Sequence, residues 1–154
     1  MRAIFLAATA VCLMGAGASA QPTKMDPSGV GALTGAMRHA GSPWLHHAIK
    51  DVGTNPTGWK RLWCAKSVNM WLARSGKKGC GGNTAISCLH AGRKLPGPQV
   101  GALAVMKHHV GIVKEVSGSH VTLVSGNNSG RDGARKVGFS KYARGKVIAY
   151  VWPE

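Results

Sequence analysis

The sequence predicts an α+β fold, in which N-terminal helices pack on one face of a small antiparallel β-sheet. Apolar residues recur every three or four positions up to about residue 91, whereas valine-rich, strand-like patterns dominate after it. The change of pattern falls at Leu95-Pro96-Gly97-Pro98, where prolines and a glycine break the chain. A length of 154 residues suits one compact domain.

Three helical segments are predicted before that break. Ser42-Pro43 begins the first, with serine as the N-cap and proline at the first helical position, and Gly53 ends it. The second begins near Cys64, where apolar or small residues recur at helical spacing, and Gly76 ends it. A short third helix is predicted over residues 84–91.

The predicted strands follow the break and are joined by short turns. Ser117-Gly118-Ser119 is typical of a hairpin turn, so the strands on either side of it are antiparallel neighbours. The strand patterns cover residues 100–106, 110–116, 120–125 and 147–152, with a weak pattern for a further strand over residues 135–139. Their order predicts an antiparallel meander.

The first 20 residues are typical of a secretory signal peptide. Met1-Arg2 is a charged start, an apolar run follows, and Ala18-Ser19-Ala20 supplies the small residues that cleavage requires. The run is too short to span a membrane. Residues 21–41, rich in Gly, Ser, Pro and Ala, are predicted to be a flexible leader, and residues 42–154 a single domain. We therefore expect a periplasmic or secreted protein, cleaved near Ala20.

The cysteine content indicates one disulfide and one free thiol. Cleavage removes Cys12 and leaves Cys64, Cys80 and Cys88 in an oxidising compartment. Cys80 and Cys88 are close in sequence, and glycines between them allow the chain to turn back. We predict that these two are paired and that Cys64 is free.

The chain is strongly basic, with 20 Lys and Arg against 5 Asp and Glu, a formal net charge of +15. Such a field attracts polyanions. For an exported protein, the anionic polymers and peptide carboxylates of a cell wall are the nearest candidates. The basic residues are not interleaved with aromatic residues, so no nucleic-acid partner is expected. The alternative is that the charge only solvates the surface.

Cys64 is the candidate nucleophile. A thiol in the first turn of a helix faces unpaired N–H groups and the positive end of the helix dipole, which favour the thiolate. Lys60 and Arg61 would act in the same direction if they lie near it. The alternative is that Cys64 is a small, buried hydrophobic residue.

His109 is the candidate general base, and Asn127 is the candidate residue that orients it. His109 stands at the start of one predicted strand, and Asn127 follows the next. If these strands pair through the hairpin turn, the numbers of opposite residues add to about 236, which places Asn127 opposite His109. His108 is the competing base, but alternation puts it on the other face of the strand.

Three motifs in this order resemble the CHAP and NlpC-type papain-like cysteine hydrolases, which are cell-wall amidases and endopeptidases. They are Trp63-Cys64-Ala65 at a helix start, a His-Val-Gly-Ile-Val strand beginning at His109, and Gly126-Asn127 after the next strand. The likeness extends from about Trp44 to Pro153. It implies a papain-like fold in which Cys64 is the nucleophile, His109 the base and Asn127 the polar residue that orients the base.

Two positions depart from the pattern of these families. Gly101-Ala102 stands where Gly-Asp is usual, and Cys88 stands where a bulky aromatic residue is usual. The second departure agrees with a disulfide between Cys88 and Cys80.

The resemblance implies acyl transfer at an amide bond of peptidoglycan, by a monomer that needs no cofactor or metal ion. The substrate would be peptidoglycan or its peptide stems. Of the tryptophans that could line a groove, Trp63 is predicted to contact substrate because it adjoins the nucleophile, whereas Trp44 and Trp71 are expected to pack in the core. Gly126 borders the same predicted substrate site or serves the turn.

Two other functions fit the same sequence. One is a non-catalytic wall-binding or inhibitory module on the same fold. The other is a polyanion-binding protein without hydrolase activity. Alkylation of the free cysteine and digestion of purified wall material separate these hypotheses.

Overall fold

The computed structural model describes residues 42–129 and 134–154 of the chain. The predicted signal peptide (1–20) and leader (21–41) lie outside the described residues. The helices are α1 (Pro43–Lys50) and α2 (Cys64–Arg74), and short 3₁₀ turns cover Ile86–His90 and Arg144–Lys146. The strands are β1 (Gly92–Leu95), β2 (Leu103–Val105), β3 (Val110–Ser117), β4 (His120–Ser129), β5 (Arg135–Ala143) and β6 (Ala149–Pro153).

The two main helices begin where the sequence predicts. Pro43 is the first residue of α1, and Cys64 is the first residue of α2. Just beyond the end of α2, Gly76 has a φ of 65°, a left-handed conformation that glycine adopts without strain. The predicted third helix is instead a five-residue 3₁₀ turn. A disulfide at Cys88 closes this segment into a short loop, and 3₁₀ turns are usual in such short pieces.

The six described strands form one antiparallel sheet in the order β1-β6-β2-β3-β4-β5. The predicted meander is confirmed for β2 to β5. It is wrong at the other edge, because the C-terminal strand β6 returns to pair with β2, and β1 pairs with β6 outside it. The weak pattern over residues 135–139 corresponds to a full strand, β5, which extends to Ala143.

The sheet is buried on both faces. The larger cluster joins the inner sides of α1 and α2 to one face of the sheet, with Val68, Trp71 and Leu72 fully buried on α2. The second cluster covers the opposite face and includes Val113 and Leu123. The prediction of helices packed on one face of an antiparallel sheet is therefore confirmed.

Two tryptophans hold the helices in place: Trp44 binds α1 to the loop before β2, and Trp71 binds α2 to the end of α1. The indole N–H of Trp44 donates to the carbonyl oxygen of Gly101 at 2.7 Å. The indole N–H of Trp71 donates to Asp51 at 2.8 Å, and the same carboxylate oxygen binds Arg74. Both rings are buried, as the sequence predicts.

The predicted cysteine pairing is confirmed. Cys80 and Cys88 form a disulfide, and Cys64 is free and buried. Within residues 42–129 and 134–154, no helix combines the length and the apolar character needed to cross a membrane.

Candidate active site

Cys64 occupies the first position of α2, and 6% of its surface is exposed. The preceding residue, Trp63, makes no side-chain cap, and the N–H groups of the first turn, which have no intrahelical partner, are not capped by any other residue that the structure describes. Ser67 closes this turn, because its hydroxyl donates to the carbonyl oxygen of Cys64 at 2.7 Å. The thiol therefore lies beside donors that can stabilise negative charge.

Gly126 allows the start of α2 to lie directly on β4. A Cβ atom at Gly126 would overlap the ring of Trp63 and the hydroxyl of Ser67. Only a residue without a side chain permits so close an approach. This contact places Cys64 beside the end of β4.

A cleft of about 380 Å³ opens at Cys64. Its other described lining residues are Trp59, Leu62, Asn83, Thr84, Ala85, Ile86, Lys107, His108 and Asn127. The fold thus brings Cys64 and Asn127 to one cleft, together with the exposed His108. The described residues contain no group of three or more His, Cys, Asp or Glu side chains that could hold a metal ion.

His109 lies immediately before β3 and is held by a residue of β4. Its Nε2 atom is 2.9 Å from Oγ of Ser125, and its ring centroid is 5.8 Å from that of Tyr142. Tyr142 packs against the second cluster, on the sheet face opposite the helices. Burial lowers the pKa of His109 below its ordinary value of 6.5, which favours the neutral imidazole. Among the described residues, Nδ1 has no hydrogen-bond partner.

Asn128 fixes Ser125 in turn. Its side-chain N–H groups donate to the carbonyl oxygen and Oγ of Ser125, at 2.6 and 3.0 Å, and to the carbonyl oxygen of Gly138 at 3.2 Å. Its Oδ1 accepts from the hydroxyl of Ser140 at 3.1 Å. The partner of His109 is therefore anchored to both β4 and β5.

An irregularity in β4 gives the two neighbouring asparagines different roles. The predicted register is found near the site, where Ile112 pairs with Val124. The pairing of β4 with β5 then shifts between Ser125 and Asn128, and Asn127 adopts a left-handed φ of 63°. Asn127 lines the cleft, and the hydrogen-bond partner of His109 is Ser125. Sequence reasoning missed Ser125 and Asn128 because a regular ladder was assumed.

The two predicted substrate contacts need correction. The prediction that Trp63 contacts substrate is wrong, because its ring is fully buried against Gly126. Gly126 is buried as well, and it serves the packing of α2 on β4. The exposed aromatic residue of the cleft is Trp59, with 42% of its surface exposed, and Leu62 beside it is 76% exposed. Only its position in the chain, close to Cys64, could have favoured Trp59.

No protein-family model and no curated protein matches the sequence. Among solved structures, the fold is similar to the crystal structure of a wild-type endolysin, LysIME-EF1, with a TM-score of 0.55 and 15% sequence identity. The match covers 71% of this chain and 62% of the endolysin chain, so this chain corresponds to less than two thirds of that protein. At this identity the similarity concerns the fold: the α+β arrangement of helices and sheet is one that an endolysin also has.

Proposed function

We propose that the protein is an exported cysteine hydrolase that cleaves an amide bond of peptidoglycan, as an amidase or a peptide endopeptidase. Its fold would be papain-like, of the CHAP or NlpC type. The observation that carries the proposal is the free thiol of Cys64, at the first position of a helix, in a cleft that it shares with Asn127 and His108. The similarity to an endolysin supports the substrate class, since endolysins hydrolyse peptidoglycan.

The proposed reaction is acyl transfer through a thioester. The Cys64 thiol gives its proton to Nδ1 of His109, and the thiolate sulfur attacks the carbonyl carbon of the substrate amide. His109 then protonates the leaving amine nitrogen as the C–N bond breaks. A water molecule, deprotonated by His109, attacks the thioester and releases the acid and the Cys64 thiolate.

Two kinds of donor would hold the oxyanion of the tetrahedral intermediate. One is the backbone N–H of Cys64 at the start of α2. The other is the side-chain N–H₂ group of Asn127, a residue that lines the cleft. The exposed Trp59 and Leu62 supply apolar surface for the substrate at the same cleft.

His109 suits the role of base better than His108. A base needs an orienting partner, and His109 has one in Ser125. In the tautomer that carries its proton on Nε2, His109 donates to Oγ of Ser125, and the lone pair of Nδ1 is then left to accept a proton. His108 lines the cleft, but it is exposed and has no hydrogen-bond partner among the described residues. His109 is not among the described residues that line the cleft at Cys64, and its ring lies beside Ser125 and Tyr142, so the proposed role requires the imidazole to reach the thiol when substrate binds.

The test combines alkylation with digestion of purified wall material. Iodoacetamide should label Cys64 rapidly near neutral pH, with the site of labelling located by peptide mass spectrometry. Cys64→Ala should remain folded and release no soluble muropeptides. His109→Ala should lower the rate of release by at least about a hundredfold, the usual contribution of general acid–base catalysis.

His108→Ala is the matched control, since it removes the neighbouring imidazole from the same cleft. We expect it to keep most of the wild-type rate. If His108→Ala lost more activity than His109→Ala, the base would be His108. Full activity of Cys64→Ala would overturn the proposal. A wild-type protein that binds walls without releasing muropeptides would instead be a non-catalytic wall-binding module.

A further inference from the structure

A second recess on the protein is lined mainly by positive charges. It has a volume of about 610 Å³, larger than the cleft at Cys64. Two cationic pairs, Lys60-Arg61 and Arg135-Lys136, line it together with Asn55 and Ala134. The first pair precedes α2, and the second begins β5. Folding therefore gathers four cations from two distant parts of the chain.

Backbone hydrogen bonds fix the two segments side by side. The N–H of Gly53 donates to the carbonyl oxygen of Val137 at 2.9 Å, and the N–H of Val137 donates to the carbonyl oxygen of Thr54 at 2.8 Å. The start of β5 is thereby bound to the loop that leads from α1 towards α2. The gathering of the cations is a consequence of the fold, so the mutual repulsion of Lys60, Arg61 and Arg135 is present before any ligand arrives.

The carboxylate side chains of residues 42–129 and 134–154 do not line the recess. Asp51 and Glu154 form ion pairs with arginines elsewhere, and Glu115 lies on β3. A concave surface with charges of one sign concentrates counterions of the other sign. The recess is therefore suited to an anion, and arginine side chains bind oxyanions such as phosphate or carboxylate through paired N–H groups.

The recess adjoins the cleft at Cys64 on two sides. The guanidinium of Arg135 donates to the carbonyl oxygen of Asn127 at 3.3 Å, and Asn127 lines the cleft. On the other side, Lys60 and Arg61 lie between Trp59 and Leu62, which also line the cleft. A polymer with an oxyanion in the recess would thus present its neighbouring units at the cleft.

We infer that this recess binds oxyanion groups of the wall polymer, phosphate or carboxylate, and so positions the polymer across the cleft at Cys64. The inference rests on the proposed function for the identity of the polymer. It gives the cations of the recess, which are part of the chain's large positive charge, a specific role in binding. Removing cations from the recess should therefore affect anion binding more than removing the same charge elsewhere.

The first test uses two alkylating reagents that differ in charge. Iodoacetate is an anion and iodoacetamide is neutral, so the ratio of their rates at Cys64 reports the local potential. The recess variant Lys60→Gln/Arg135→Gln is compared with Lys50→Gln/Lys94→Gln, which removes the same charge from exposed positions on α1 and β1.

We expect the ratio of the iodoacetate rate to the iodoacetamide rate to fall severalfold in the recess variant at low ionic strength, because two unit charges beside the cleft no longer attract the anionic reagent. The surface control should change it little. In the wild type, inorganic phosphate at constant ionic strength should slow iodoacetate and leave iodoacetamide unaffected. Equal falls in both variants would show that only the overall charge matters, and would overturn the inference.

The second test measures binding of Cys64→Ala protein to insoluble wall material. The recess substitutions should weaken binding on the order of tenfold, as expected for the loss of a charge-assisted contact, and the control substitutions should have little effect. Walls stripped of phosphate polymers identify which oxyanion the recess binds. If Cys64→Ala protein without recess substitutions binds these walls more weakly, the oxyanion is phosphate; if its binding is unchanged, the oxyanion is carboxylate. Equal binding by both variants would overturn the inference. Because this protein cannot turn over, failure of the hydrolase proposal leaves the result intact.

Discussion

Replacing Gly126 by alanine tests whether the start of α2 lies directly on β4, the contact that positions Cys64. The added methyl group would overlap the ring of Trp63 and the hydroxyl of Ser67. Neither group can move away easily. The Trp63 ring is fully buried, and the Ser67 hydroxyl is bound to the carbonyl oxygen of Cys64 at 2.7 Å.

The expected loss of stability follows from two opposing effects. Inserting a methyl group into a packed core costs about 1–3 kcal/mol. Alanine recovers about 0.4–1 kcal/mol by restricting the unfolded chain. The steric cost is larger, so the free energy of unfolding should fall by about 1–2 kcal/mol. For a domain of this size, that change lowers Tm by about 4–10 °C. Alkylation of Cys64 should slow as well, because the start of α2 must shift.

Gly138→Ala is the matched control on the adjacent strand β5. A Cβ atom there would meet only the side chain of Asn128, at 3.7 and 3.8 Å, an ordinary contact. Thermal unfolding followed by tryptophan fluorescence should show no loss of stability for this variant. If Gly126→Ala unfolded at the wild-type temperature and its Cys64 reacted at the wild-type rate, the close packing of α2 on β4 would be refuted.

Four other predictions concern the His109 site and the disulfide. Ser125→Ala should lower the rate of wall digestion on the order of tenfold to a hundredfold by freeing the His109 ring, and Ser125→Thr should restore much of it. The acid limb of the pH–rate profile should lie below pH 6.5, because burial lowers the pKa of His109. As pH falls, His109 takes up its proton in the unfolded chain before it does so in the folded protein. The contribution of neutral His109 to the free energy of unfolding is therefore complete above pH 6.5 and is lost as pH falls through the folded pKa. Thermal unfolding of His109→Gln should not show this loss. Cys80→Ala/Cys88→Ala opens a loop with a sequence separation of 8 residues and should cost about 2.5 kcal/mol in urea unfolding.

The sequence predicts those parts of the fold that local chemistry determines. Pro43 and Gly76 mark helix ends through the conformations that proline and glycine favour. Ser42 is the N-cap residue of α1, as predicted, although its side chain makes no capping hydrogen bond. The hairpin turn predicts that β3 and β4 are antiparallel neighbours. The predicted register holds near the site only because a bulge between Val113 and Glu115 offsets a one-residue difference at the turn, where Ser117 pairs with His120. Cys80 and Cys88 were predictable as a pair because their spacing and the intervening glycines leave a short loop.

The parts that sequence reasoning missed depend on distant contacts. Strand β1 is a four-residue, largely polar segment, and only its pairing with β6 makes it a strand. The burial of Trp63 depends on Gly126, which is far away in the chain. The partner of His109 was missed for a similar reason, since the irregularity between Ser125 and Asn128 is set by the pairing of β4 with β5.

Two substitutions of Asn127 distinguish the role of its side chain from the role of its backbone conformation. Its φ of 63° is left-handed, a conformation that glycine adopts freely and that costs alanine about 1–2 kcal/mol. If the carboxamide donates to the oxyanion, Asn127→Gly and Asn127→Ala should both lower the rate of wall digestion by about a hundredfold or more. Only the alanine variant should also lose stability in urea unfolding. Wild-type turnover by Asn127→Gly would exclude the carboxamide from catalysis, and the N–H groups at the start of α2 would then hold the oxyanion alone.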